Sequence, residues 1–158
     1  MKNSDHETDL EAAMLRDLES FFLEPGAGFS LIARQKSMII NGDEYCLDLL
    51  LFHRKLRRLV AVVLKPGKFN DADKEQMGLY LTWLDRYEKQ AEENPPIGLI
   101  LCAEASHGQV ELLEMQEDGL GAAEFWTQLP PKEDLERRLH RALVEAHERI
   151  TRRQLDNT

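Results

Sequence analysis

Three groupings in this sequence have residue types and spacing suited to chemistry on a phosphate. Lys65 closes the apolar run "LVAVVLKPGKF" (59–69) and leads straight into Pro66-Gly67. A lysine leaving a buried strand into a turn offers an amine that can hold or activate a water. Asp48 interrupts the otherwise apolar "CLDLLLF". An unpaired buried carboxylate is costly, so Asp48 requires a partner or a metal ion. Val63 and Lys65 share a strand face, because strand side chains alternate. If Asp48 points to that face, the two charged groups meet, as a structural ion pair or as a catalytic one. Gln76-x-x-x-Tyr80 puts an amide and a phenol on one helical face, able to hold phosphate oxygens or a metal-bound water. Tyr80 also fits a core stripe. Glu11 is accounted for by a capping box with Thr8.

The charge distribution bears on partners. The chain has 158 residues and a net charge of −9, with 42% hydrophobic and 31% charged residues. That is a soluble globular composition long enough for a real core. So acidic a protein is a poor general coat for nucleic acid, which is bound through Lys and Arg. Yet residues 51–70 hold Arg54, Lys55, Arg57, Arg58, Lys65 and Lys68 and no acid. This island suits a local phosphate site, or else a solvated turn at "HRKLRR". Cys46 and Cys102 lie in apolar runs and read as small buried hydrophobes. No run approaches the roughly 18 apolar residues of a membrane span. The polar, acidic start "MKNSDHETDL" is unlike a signal peptide. A cytoplasmic location away from membranes is expected.

These groups need elements to position them. Leu10, Met14, Leu18 and Phe21 or Phe22 stripe a helix over 9–24, starting at Thr8 and ending at Pro25-Gly26. A strand over 28–40, the hairpin signal Asn41-Gly42, and a strand over 44–53 follow. The turn "RKLRR" leads to a strand over 59–65. Asn70-Asp71 caps a helix over about 71–91. The unalternating run Ile97–Cys102 reads as a strand covered on both faces. Residues 107–117 read as a short helix, 122–129 as a short strand, and 131–153 as a final helix. The order is α-β-β-β-α-β-α-β-α. It predicts one α/β domain over 1–158, with a mixed sheet, a core of about 9–129 and a C-terminal helix.

Several strings together resemble the PD-(D/E)XK nuclease superfamily, and within it the C-terminal nuclease domain of YhcG-type proteins. They are "DLEAAMLRDLESFFLEPGAGF", "ARQ" at 33–35, "YCLDLLLFHRKLRRLVAVVLKPGKF", "MGLYL" at 77–81 and "NPPIGLILC" at 94–102. The resemblance implies a restriction-endonuclease-like fold and Mg²⁺-dependent phosphodiester hydrolysis, with Mn²⁺ as a substitute ion. It implies Asp48 as the metal-binding aspartate and Lys65 as the lysine that orients or activates water. It makes Glu11 a supporting acid and Gln76 and Tyr80 a Q-x-x-x-Y pair. Arg54, Lys55, Arg57, Arg58 and Lys68 become contacts to DNA. YhcG-type proteins also carry an N-terminal domain, so the targeting part is expected to be missing or supplied in trans.

One position departs from the pattern. The family's second metal-ligating acid falls on Val63. Loss of a group that stabilises reacting charge commonly costs about 10²–10³ in rate. The expected function is therefore a nuclease-superfamily domain that acts on or binds DNA with hydrolysis weakened or lost. One alternative is an active Mg²⁺-dependent endonuclease whose acid has migrated to the second helix, with Asp73 and Glu75 as candidates. The other is a non-enzymatic module that meets a protein partner or a second copy of itself. Residues 94–131, with six acids and no Lys or Arg, suit that last reading.

Overall fold

The computed structural model describes residues 2–104, 107–115, 120–128 and 131–156, with side chains from residue 9 onward. Its elements are α1 (Lys2–Phe22), β1 (Phe29–Ile40), β2 (Asp43–His53), β3 (Arg58–Pro66), α2 (Asp71–Tyr87), β4 (Asn94–Ala103), β5 (Gly108–Glu114), α3 (Leu120–Gln128) and α4 (Lys132–Asp156). The strands lie in the order β1-β2-β3-β4-β5. β1, β2 and β3 form an antiparallel meander, β4 joins β3 in parallel, and β5 returns antiparallel. The parallel step is the one that α2 bridges, as a parallel connection requires.

Both sheet faces are covered. Met77, Tyr80, Leu81 and Leu84 of α2 pack on Leu47, Leu50, Ala61 and Ile100. The opposite face, with Leu49, Leu51, Val60, Val62, Leu99 and Leu101, is covered by α1, α3 and α4 through Leu18, Phe125 and Leu139. Two-sided cover is why β4 has no polar alternation. Gly98 lets α2 come close, since a Cβ there would lie 2.5 Å from the Met77 sulfur. The Asn41-Gly42 hairpin takes positive φ at both residues, 53° and 86°, the backbone such a two-residue turn needs. The mixed α/β sheet flanked by helices is the restriction-endonuclease-like fold that the sequence implies.

Three local expectations change. α1 begins at Lys2, so residue 8 lies inside the helix and does not open it. Residues 108–114 form a strand, not a helix. Val110 and Leu113 are at helical spacing and Val110 and Leu112 at strand spacing, and pairing with β4 decides between them. Residues 120–128 form a helix, not a strand, and bury Gly121 and Phe125 at helical spacing. Residue 129 and residues 116–117, the ends of those two expected elements, lie outside the described residues. The element count of four helices and five strands and the order through β4 hold.

The turn after β2 hangs on His53, which is 1% exposed. Its Nδ1 accepts the Leu56 N–H at 3.2 Å, which leaves Nε2–H to donate to the Ala27 carbonyl at 3.1 Å. That is a neutral imidazole. Burial pulls its pKa below the usual 6.5, against the raising effect of the Ala27 bond. The unfolded chain therefore binds a proton more readily than the folded one. Stability is fully present above about pH 6.5 and falls as pH drops through the lowered folded value. Urea unfolding between pH 8 and 5 should show this loss. His53→Phe should flatten the profile and cost about 1–3 kcal/mol at pH 8, from the unpaired Leu56 N–H.

Candidate active site

β2 and β3 part company at the candidate site. Their backbone pairing covers Leu49–His53 against Arg58–Val62 and stops there. β3 continues to pair with β4 as far as Pro66. Where the ladder ends, the Asp48 carboxylate takes the place of a backbone partner: its Oδ2 accepts the Leu64 N–H at 2.9 Å. The alternation of β2 also breaks here. Leu49 and Leu51 face the α1/α4 layer and Leu50 the α2 layer, yet Leu47 and Tyr45 face the α2 layer too. Opposite Asp48, β1 carries Gln35 in the left-handed region at φ 51°. β1 changes parity across it, because Ala33, Met38 and Ile40 all pack on the α2 side. Both strands kink together at one rung of the sheet.

Burial pushes the Asp48 carboxyl pKa up, opposed by the Leu64 N–H and then by a hydrogen bond from the Gln35 side chain. Lys65 does not offset that charge. Its amine pairs with the Asp73 carboxylate, which also accepts the Asn70 N–H at 2.9 Å. The expected Asp48–Lys65 pair is thus replaced, for a geometric reason. The Asn70/Asp73 capping box fixes the first turn of α2 and delivers Asp73 to the end of β3. Val63, Asp73, Gln76, Met77, Tyr80 and Ile100 line a cleft of about 10 Å³, room for a single water. Asp73, Gln76 and Tyr80 lie at i, i+3 and i+7 on one helical stripe.

Tyr80 belongs to both the core and the cleft. It is 4% exposed and its ring meets Tyr45 edge-on at 5.7 Å. Burial first, and then the charge of Asp48, push its pKa up to about 12. The phenol therefore keeps its proton at neutral pH and acts as a donor.

The structure gathers Asp48, Val63, Lys65, Gln76 and Tyr80 around α2, and adds Asp73. It does not bring the other sequence candidates to this cleft. Glu11 sits on α1, which packs against the opposite face of the sheet. Arg58 is engaged within the fold: its guanidinium donates to the Pro95 carbonyl at 2.7 Å and faces Glu124, and its side chain is only 13% exposed. Arg57 is held by the Glu92 carbonyl at 2.5 Å. Arg54 and Lys55 are exposed. They lie at the far end of β3 from Lys65, about 20 Å away at the strand rise of roughly 3.3 Å per residue. Lys68 is exposed near Lys65. The basic island of the sequence is thus two patches. Lysine, carboxylate and helix spacing were visible in the sequence for Asp73, and Gln35 lay within "ARQ" without a role.

The donor set fits a hard divalent ion. Asp48 is an ionisable group held against its burial, with its nearest lysine committed elsewhere. Two carboxylates suffice for Mg²⁺ or Mn²⁺ when water and phosphate complete the shell. Among the described residues no group of three or more His, Cys, Asp or Glu could hold a metal, so the closed ligand set of a structural zinc is not present there. No helix among the described residues is long and apolar enough to cross a membrane.

Comparison with known proteins follows the same line. Residues 1–141 match the family model described as the YhcG PDDEXK nuclease domain. The chain is 38% identical over 154 residues to the Escherichia coli (strain K12) protein named "Putative nuclease YhcG". The match covers 97% of this chain and 41% of that relative. The chain therefore corresponds to less than half of the relative's length.

Asp48 should reveal its double duty on substitution. Asp48→Asn keeps an acceptor for the Leu64 N–H and removes the buried charge. Because the folded carboxyl has a raised pKa, ionisation is penalised in the folded state. The parent should therefore lose stability relative to Asp48→Asn as pH rises from the ordinary value of 3.8 through the raised one. Asp48→Ala should instead cost about 1–3 kcal/mol, through the unpaired Leu64 N–H. Chemical denaturation at pH 4 and 7 separates the two.

Proposed function

The chain belongs to the YhcG PDDEXK nuclease domain family, and from that premise we propose a divalent-metal-dependent nuclease domain acting on DNA. Asp48 and Asp73 are its metal-binding carboxylates and Lys65 its water-positioning amine. The observation that carries this reading is the position of Asp73, set beside Lys65 and lining the same cleft as Val63. The acid absent from position 63 is supplied by the neighbouring helix. A bound Mg²⁺ or Mn²⁺ would make hydroxide available at neutral pH and stabilise charge on the phosphate.

The residues divide the remaining work. Asp48 is held in orientation by the Leu64 N–H. Lys65 would hold the attacking oxygen, and Asp73, beside it, would be the second carboxylate to hold the ion. The Tyr80 hydroxyl donates a hydrogen bond to a phosphate oxygen and keeps its proton, with the Gln76 amide beside it. Lys68 meets a flanking phosphate. Arg54 and Lys55 reach phosphates on the order of six base pairs along the duplex, given about 3.4 Å per step.

A second reading, DNA binding without cleavage, is favoured by a specific observation. One oxygen of Asp73 already serves both Lys65 and the Asn70 N–H. On this reading Asp73 is structural only, committed to the cap and to Lys65.

A plasmid-nicking assay with Mn²⁺ or Mg²⁺ distinguishes them. The parent should nick, and Asp48→Ala and Asp73→Asn should each lose about 10²–10³ in rate. Val63→Glu should cleave faster, melt earlier without metal, and recover with it, since a ligand of the folded state stabilises that state. Cleavage by Val63→Glu but not by the parent establishes the second reading. No cleavage by either, with both folded, removes hydrolysis and means the site has decayed beyond this one residue; undetectable DNA binding by the parent at low salt then favours a protein-interaction module. For DNA binding, Lys68→Glu should lower the log–log salt slope by about one unit.

A further inference from the structure

We propose that Gln35 is a positioning residue of this site, a clamp whose amide fixes the carboxylate of Asp48. The inference rests on the reading of Asp48 as a metal ligand, but its first observations do not. Gln35 stands opposite Asp48, since Arg34 faces Leu49 and Lys36 faces Leu47. It holds a left-handed backbone, φ 51°, inside a strand that runs from Phe29 to Ile40. A residue with a Cβ adopts that conformation inside a strand only where its surroundings impose it, and such strain collects at functional sites. Glycine would serve the backbone better there. A glutamine in its place points to a use for the side chain.

The hydrogen bonds show that use. The Cys46 thiol donates to Gln35 Oε1 at 3.1 Å. The acceptor end of the amide is thereby occupied, and its N–H₂ end is left for a carboxylate. Across the rung, the Gln35 side chain acts on the Asp48 carboxyl as a hydrogen-bond donor and lowers its pKa. Reversing the amide would set two acceptors, Oε1 and the carboxylate, against each other. The chain of donors therefore runs from Cys46 through Gln35 to Asp48, while the Leu64 N–H holds Oδ2 from β3. Asp48 is gripped from both neighbouring strands, one grip being a backbone group and the other a side chain. Partners that orient a ligating carboxylate are worth about 10–100-fold in metal affinity.

The test compares the parent chain with Gln35→Gly and Gln35→Met. Mn²⁺ affinity is measured by calorimetry, the Asp48 χ1 rotamer by three-bond NMR couplings, and folding by the thermal midpoint. Glycine accepts the positive φ, so Gln35→Gly should melt no earlier than the parent. Methionine keeps the length without the amide. In both variants Asp48 should change from one χ1 rotamer to an average, and Mn²⁺ affinity should fall about 10–100-fold. A purely structural glutamine would lower the melting temperature and leave χ1 alone. An Asp48 rotamer unchanged in both variants overturns the proposal, whatever the Mn²⁺ affinity. Loss of the fixed rotamer in variants of a parent that binds no Mn²⁺ supports the clamp and removes the metal-site reading instead.

Discussion

The arrangement depends on one hydrogen bond, from the Leu64 N–H to the carboxylate of Asp48. An aspartate in so apolar a strand needs a donor, and a strand end supplies one where the backbone ladder stops at Leu49 and Val62. Extending the ladder by one rung would place Asp48 opposite Val63 as an ordinary pair. Instead the side chain substitutes for main chain, and the two strands separate just where a cleft is needed. α2 then fills part of the gap with Met77 and Tyr80. The polar requirement of a single residue therefore sets where the sheet opens and what can pack over the opening.

Charge in the opening is distributed unevenly. Asp48 is ionisable but shielded, Tyr80 stays neutral, and Lys65 is balanced by Asp73. The effect of Asp73 extends into the core beneath. Burial and then its negative field push the Cys102 thiol up to about 11, against the opposing pull of Lys65. The opening thus holds one balanced pair and one carboxylate held by hydrogen bonds. The arginine-rich turn plays a different part. Arg57 ties the turn to the loop before β4, and Arg58 ties the start of β3 to Pro95 of β4, so two of the four basic residues of that turn are held by backbone carbonyls.

Much of this was legible in the sequence, and the misses have physical causes. Asn41-Gly42, the stripe of α2 and the unalternating β4 run each have one good structural solution, and each was found. Val63 and Lys65 do share the α2 face, because β3 alternates regularly. Asp48 escaped the same reasoning because alternation fails at the kink, and a kink needs a partner strand that no single-strand pattern reveals. Asp73 was visible as a candidate acid on the second helix, but its place in the Asn70 capping box and its pairing with Lys65 were not. The exchange of strand and helix between 108–114 and 120–128 arose where short apolar segments fit both periods and only neighbours choose.

The sequential strand order carries a consequence for how the molecule comes together. Gln35, Asp48, Lys65, Asp73 and Tyr80 all come from the consecutive run β1-β2-β3-α2. Their mutual contacts are close in sequence, and such contacts form with little loop-closure cost. The opposite layer instead joins the two ends of the chain, with α1 against α4 and Asp17 bonded to Arg138 at 3.1 Å. During synthesis the meander and α2 can assemble while α4 is still within the ribosome. In the finished protein, the terminal helices lie on the sheet face away from the α2 side of the rung at Asp48. Amide exchange would then divide this small protein into a slow centre that holds the chemistry and a faster outer layer that closes over its back.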